Sequence, residues 1–317
     1  MIRTDPSPVF PTSPLRVPSW ALAGGRVEQD TDAAFCAGAA LNSLDNLVRS
    51  EPAYLGAWRQ RLALKCAVAA VRLAGRSEDE AALRDAWYLR PANGDPGPAG
   101  NLLAAWRQLA SRSPMIDATR LAEIVDLLGL RWNDGFADLP DAIGAVARSG
   151  RPAPFAAAAI ASQVVAVSPG AELLGWWCAD FLLARKLRWP KPVPLLMAQV
   201  FAPAFRTGGN RGKRIRPGGE GFETAVCLAL TQGADDALRL AADLSRRAER
   251  LAAAVPKLRA KGAGDVIFLL LNEDAIAGSV VTKNLSRFGA RRLFERLRTF
   301  EAVRELSGRD SFRLFGL

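Results

Sequence analysis

Residues 284–300 leave the chain one good option, an amphipathic helix with a covered face. At about 100° per residue, Gly289, Ala290, Leu293, Leu297 and Phe300 fall on one side. Asn284, Arg287, Arg291, Glu295 and Arg298 fall on the other. The small residues Gly289 and Ala290 let such a helix press close to a neighbour. Before it come an apolar run, residues 265–271 closed by Asn272, and a turn-rich piece, residues 277–281. After it, residues 302–306 and 312–315 flank Ser307-Gly308-Arg309-Asp310-Ser311. The order is helix, short helix, basic helix, glycine-turned hairpin. That is the order of a winged helix-turn-helix with a small β-hairpin wing. In the hairpin, Leu306, Phe312 and Leu314 are expected to face a core and Arg304, Arg309 and Arg313 to point outward.

Arginine can be bidentate to guanine and asparagine to adenine, so this helix suits a major groove. Asn284, Arg287, Arg291 and Arg298 are the candidate groove residues, and Arg304, Arg309 and Arg313 the candidate phosphate contacts from the wing. The plainer alternative is a solvated helix face. Many winged helices bind only protein.

The charge is unevenly placed. Residues 26–150 carry 14 basic and 16 acidic side chains, whereas residues 257–317 carry 12 and seven. Residues 185–219 carry nine basic side chains and no acidic one. Within them lies a glycine-rich loop, residues 205–219, whose Arg211, Lys213, Arg214 and Arg216 can hold phosphates by charge without reading sequence. A mobile solvated loop is the alternative. It has no phosphate-loop pattern.

The rest reads as helix. Alanine and leucine dominate and only two tyrosines occur among 317 residues. Prolines 6, 8, 11, 14 and 18 mark an irregular arm over residues 1–25, with Trp20 packing onto the first helix. A helical body is expected over residues 26–255, and the winged helix-turn-helix over residues 256–317. The first helix, residues 31–49, should turn Phe35, Leu41, Leu44 and Leu47 inward. Residues 55–74 should end at Gly75, and Ser77 with Glu80 should form a capping box. Further helices are expected over 101–112, 118–128, 140–148 and 153–167. The next begins at Ser168-Pro169 and carries Trp176, Trp177 and Phe181 into the core. Residues 192–205, 219–230 and 234–255 complete the set. The last has Leu238, Leu244 and Leu251 inward and Arg239, Arg246 and Arg250 outward.

With no histidine, the chain can support neither His-based zinc sites nor a histidine general base. Cys36, Cys66, Cys178 and Cys227 form no C-x-x-C pair and read as buried free thiols of a reducing, cytoplasmic compartment. Neither a signal peptide nor a membrane span is expected. Glu78, Asp79, Glu80 and Asp85 resemble a metal cluster, which would make the chain a metal-dependent nuclease. Capping and helix-dipole roles explain the first three more simply. No catalytic residue, metal or cofactor is expected.

Two groups of residues carry a resemblance: Gly56-Ala57-Trp58-Arg59-Gln60-Arg61-Leu62-Ala63 with Gly75-Arg76-Ser77-Glu78-Asp79-Glu80-Ala81-Ala82-Leu83-Arg84-Asp85, and Arg291-Arg292-Leu293-Phe294-Glu295-Arg296-Leu297 with the terminal residues 303–309 and 312–317. Together they resemble an uncharacterised bacterial family, a domain of unknown function often carried on plasmids. The resemblance implies a helical body with a C-terminal helix-turn-helix, and no activity. The expected function is binding of double-stranded DNA by a regulator or maintenance factor of a mobile element, with a homodimer or a protein partner formed through the helical body. The rival is a helical protein-interaction scaffold without catalysis.

Overall fold

The structure is a computed structural model that describes residues 15–22, 30–91, 94–207, 212–258, 260–309 and 311–317. Most of the expected N-terminal arm and Arg211 fall outside these residues. Trp20, in the short helix α1 (Ser19–Leu22), stacks on Phe35 with ring centroids 5.2 Å apart. Phe35 does not face inward as expected: it lies on the outer side of α2 (Asp30–Arg49), 69% exposed. The buried stripe of α2 is instead rich in alanine, with Ala33, Ala37, Ala40, Leu41 and Leu44. Small side chains let its partner helix approach closely.

Helix α3 (Leu55–Leu73) ends, as expected, at Gly75, whose φ of 77° is free of strain only for glycine. Helix α4 (Glu80–Tyr88) is capped by Asp79, whose Oδ1 accepts the Ala82 N–H at 2.9 Å. Ser77 is therefore not the cap. Residues 76–79 stay extended, where Arg76 and Glu78 pair, and aspartate caps as well as serine does. Then follow α5 (Gly97–Ser111), α6 (Ala118–Leu127), α7 (Leu139–Arg148) and α8 (Ala153–Val167). Helix α9 (Glu172–Leu187) starts after Ser168-Pro169, which form a turn closed by Ala171 N–H to Ser168 O at 2.9 Å.

Residues 192–205 hold only two 3-10 turns, Met197–Gln199 and Pro203–Phe205, where a helix was expected. Prolines 190, 192 and 194 lack N–H donors and push each preceding residue away from helix. The carboxylate of Asp180, fully buried on α9, takes the Leu195 and Leu196 N–H groups instead, at 2.8 and 3.1 Å. Helix α10 (Phe222–Ala254) runs unbroken for 33 residues where two helices were expected. An interior glycine costs a helix only about 1 kcal/mol. Gly233 also lies against Gln199, whose Cγ would sit 3.5 Å from an added Cβ. Leu238, Leu244 and Leu251 are buried, and Arg239, Arg246 and Arg250 exposed, as expected.

The most extensive packings are α8 on α9, α2 on α10 and α3 on α5. Two fully buried tryptophans tie further helices together while their N–H groups stay satisfied. Trp58 of α3 donates to Ala237 O of α10 at 2.8 Å, and Trp177 of α9 to Ala105 O of α5 at 3.1 Å. Trp176, Trp177 and Phe181 are core residues, as expected.

The chain closes with α11 (Ala263–Asn272), β1 (Ile276–Ala277), α12 (Arg287–Thr299), β2 (Arg304–Glu305) and β3 (Leu314–Gly316). The strands form an antiparallel sheet of order β1-β3-β2, with Ile276 opposite Phe315 and Arg304 opposite Gly316. The short helix expected over 277–281 is not formed. Gly278 N–H bonds Arg313 O at 2.8 Å, extending the sheet edge, and the β-branched Val280 and Val281 add to the preference against helix. The described residues are mainly helical with a small antiparallel sheet, as the composition implies.

Candidate functional site

Ser286 starts α12 by accepting the Gly289 N–H at 3.2 Å. Its apolar stripe, Ala290, Leu293, Phe294 and Leu297, is buried. Phe294 stacks on Phe315 of β3, centroids 4.6 Å apart and planes 10° apart, which fixes the helix against the sheet. The opposite face carries Arg287, Arg291, Arg292, Arg296 and Arg298 against one acid, Glu295. Arg298 reaches Glu295 at 3.4 Å, and Arg313 reaches the same carboxylate at 3.1 Å. Arg287, Arg291 and Arg292 have no carboxylate partner among the described residues. Residues 292 and 296 went unnoticed in the sequence, although they form their own i, i+4 row beside 287 and 291.

Asn284 precedes the helix and so lies off its face. Its amide lies 3.4 Å from Asp265 Oδ2 of α11, which also accepts the Thr282 hydroxyl at 2.6 Å. Phe312, expected in the core, is 73% exposed with φ 54°. The strand turns Leu314 and Phe315 inward instead. Phe312 and Ser279 border a cleft of 510 Å³ between α12 and the sheet, into which Arg287 and Arg291 project. Arg309 pairs with Asp85 of α4. Arg304 is exposed on β2, and partial burial followed by the charges of Arg61 and Arg247 lowers its pKa.

The second basic block is arranged differently. Arg214 forks onto Glu172, the first residue of α9, with Nη2 to Oε2 at 2.8 Å. Arg216 Nε adds a bond to the same oxygen at 3.1 Å, and Trp176 Nε1 bonds Oε1 at 3.1 Å. Burial alone would raise the Glu172 pKa, but Arg214 and the Trp176 N–H outweigh it and hold the group ionised. Lys213 is exposed, and its carbonyl accepts the Thr207 N–H at 3.0 Å. The two blocks lie towards opposite ends of α10. Trp176, beside Glu172, packs on Phe222 at the start of α10, while Arg250 near its end pairs with Glu301 after α12. At 1.5 Å per residue that places Glu301, just past α12, on the order of 40 Å from Trp176.

The acidic run is divided among separate tasks. Glu78 pairs with Arg76, Asp79 caps α4, Glu80 reaches Arg84 at 3.2 Å, and Asp85 holds Arg309. No group of three potential metal ligands occurs among the described residues. The strong electrostatics lie nearby instead. Asp274, 2% exposed between α11 and β1, receives both Arg61 of α3 and Arg84 of α4, the latter Nε at 2.6 Å. Burial would raise its pKa, and the two guanidinium groups reverse this to keep it below the usual carboxylate range. Next to it Glu273 takes Arg107 of α5 at 2.6 Å. At Gly56 a Cβ would fall 2.7 Å from the Asn272 Cα, so α3 meets the end of α11 backbone to backbone. This clamp fixes α12 and its sheet to the helical body. The four cysteines are free; Cys66, Cys178 and Cys227 are buried and Cys36 half-buried. No described helix is long and apolar enough to cross a membrane.

A family model described as a protein of unknown function, DUF1403, matches residues 10–317, nearly the whole chain. The chain belongs to that family. No curated protein matches it in sequence.

Proposed function

We propose that this member of the DUF1403 family binds double-stranded DNA through the exposed face of α12. The observation that carries the proposal is the cluster Arg287, Arg291 and Arg292, each without a carboxylate partner among the described residues, on a helix fixed on its other side. Free guanidinium groups on a rigid helix suit the phosphates and guanine edges of a major groove. The order α11, β1, α12, β2, β3 and the sheet order β1-β3-β2 support a winged helix without the intermediate short helix. Arg304 is the wing's contribution to phosphate binding. Arg309, Arg313 and Arg298 are each engaged by a carboxylate, and Arg214 and Arg216 serve Glu172, so these five contribute less. Asn284 contributes only by leaving Asp265. The body, residues 26–255, and the terminal unit, residues 256–317, divide the work as support and reader. Regulation or maintenance of a bacterial mobile element such as a plasmid rests on the resemblance of the sequence alone, and a cytoplasmic location on the free cysteines.

An anisotropy titration with a labelled duplex at low salt tests the proposal. Micromolar or tighter binding is expected, with a loss of about tenfold or more when Arg287→Ala and Arg291→Ala are combined. Absence of binding, or binding indifferent to both changes, contradicts it. A second reading, a protein-interaction scaffold, draws on Phe268, Val281 and Phe288, which are 65%, 65% and 72% exposed in the same terminal unit. A partner retained after nuclease treatment and lost on Phe288→Ala would favour that reading.

A further inference from the structure

The cleft beside α12 differs from a plain basic surface, because it has an interior. Its 510 Å³ lies within the range of small-molecule sites. Arg287, Arg291, Arg313 and Ser279 line it together with Glu295, whose carboxylate is engaged by Arg313 and Arg298; the stacked rings of Phe294 and Phe315 lie beneath, and Phe312 borders it. Phe312 is unusual twice over. A large apolar ring is left 73% exposed, and its backbone sits at φ 54°, a conformation bulky residues rarely adopt. Neither feature helps the fold. Both make sense if the ring meets a flat apolar ligand held by the neighbouring guanidinium groups.

We infer that the cleft receives one unpaired nucleotide of the bound DNA, its phosphate on Arg287 and Arg291 and its base against Phe312. This deepens the reading of α12 as a DNA-binding helix and rests on it. The ligand class follows from the lining. Two cations without partners among the described residues call for an anion, and an exposed ring accepts any base face without reading its identity. A fully stacked duplex offers phosphates but no free base, so the site favours DNA with a bulged, flipped or single-stranded nucleotide.

The test uses the full chain with two labelled duplexes that differ only by one unpaired adenosine. The bulged duplex should bind roughly tenfold tighter, at the low end of what one base stacked on an aromatic ring contributes. Phe312→Ala should abolish the preference while leaving affinity for the paired duplex nearly unchanged, and Phe312→Tyr should restore it. With 2-aminopurine at the unpaired position, its fluorescence should change on binding to the native chain and not to Phe312→Ala. Equal affinity for the two duplexes, or a preference that survives Phe312→Ala, overturns the inference and leaves duplex binding standing. Failure of both duplexes to bind at low salt sinks both readings. Because Phe312 is exposed, the variants should melt as the native chain does.

Discussion

Two stretches of this chain look alike in composition and behave differently in three dimensions. The loop around Arg214 and the helix α12 are both rich in arginine, yet Arg214 and Arg216 converge on the buried Glu172, whereas Arg287 and Arg291 line a cleft whose one carboxylate, Glu295, is paired with Arg298 and Arg313 instead, and they have no carboxylate partner among the described residues. One cluster fastens the loop and α9 together. The other leaves its charge available to a ligand. Counting positive residues along a sequence cannot separate these cases, because a charge is available only if no acid from another part of the fold reaches it.

The contrast can be attacked from its engaged side first. Asp274→Ala should cost about 3–5 kcal/mol in a urea melt, because it leaves Arg61 and Arg84 buried without their counter-ion. A loss under 1 kcal/mol would mean that the clamp is not what holds the terminal unit. Glu172→Ala should cost somewhat less, about 2–3 kcal/mol, since Arg214 can partly turn to water. It should also leave duplex affinity unchanged if the loop is structural. The next effect is one of pH. Burial pushes Asp180 up to about 7 against the pull of two backbone N–H groups. An aspartate raised in the folded state adds stability that is full below its unfolded pKa, about 3.9, and is lost as pH rises towards the folded value. Glu172 and Asp274 are lowered, so their contribution is present above the unfolded range and lost in acid. The chain should therefore be most stable in mildly acidic solution and weaken towards neutrality by at most about 1.4 kcal/mol per pH unit. In Asp180→Asn that decline should flatten, and a decline unchanged in the variant would assign it elsewhere.

The buried stripe of α12 could be read from spacing alone, and so could the helical character of the body, because periodicity is a local property. The clamp could not. Arg61 and Arg84 lie 213 and 190 positions from Asp274, and no local pattern marks such a trio. The two stretches that carry the family resemblance do meet in space, where Asp85 holds Arg309, but nothing in either stretch announces its partner. The helices missed or misplaced share a cause as well. At residues 192–205 and at 277–281 backbone donors find partners outside a helix, in the Asp180 carboxylate and at the sheet edge, and at Ser77 the capping role falls to Asp79 two residues later. Phe312 was placed in the core because it is apolar, and its exposure depends on where the turn of the hairpin falls.

The most direct measurement is the salt dependence of duplex affinity for three proteins: the native chain, the Arg287→Ala and Arg291→Ala double variant, and Arg216→Ala. If α12 alone supplies the contacts, the double variant should lower the slope of log affinity against log salt by about 1.8, and Arg216→Ala should leave it unchanged. A slope that falls with Arg216→Ala and holds in the double variant would contradict the account.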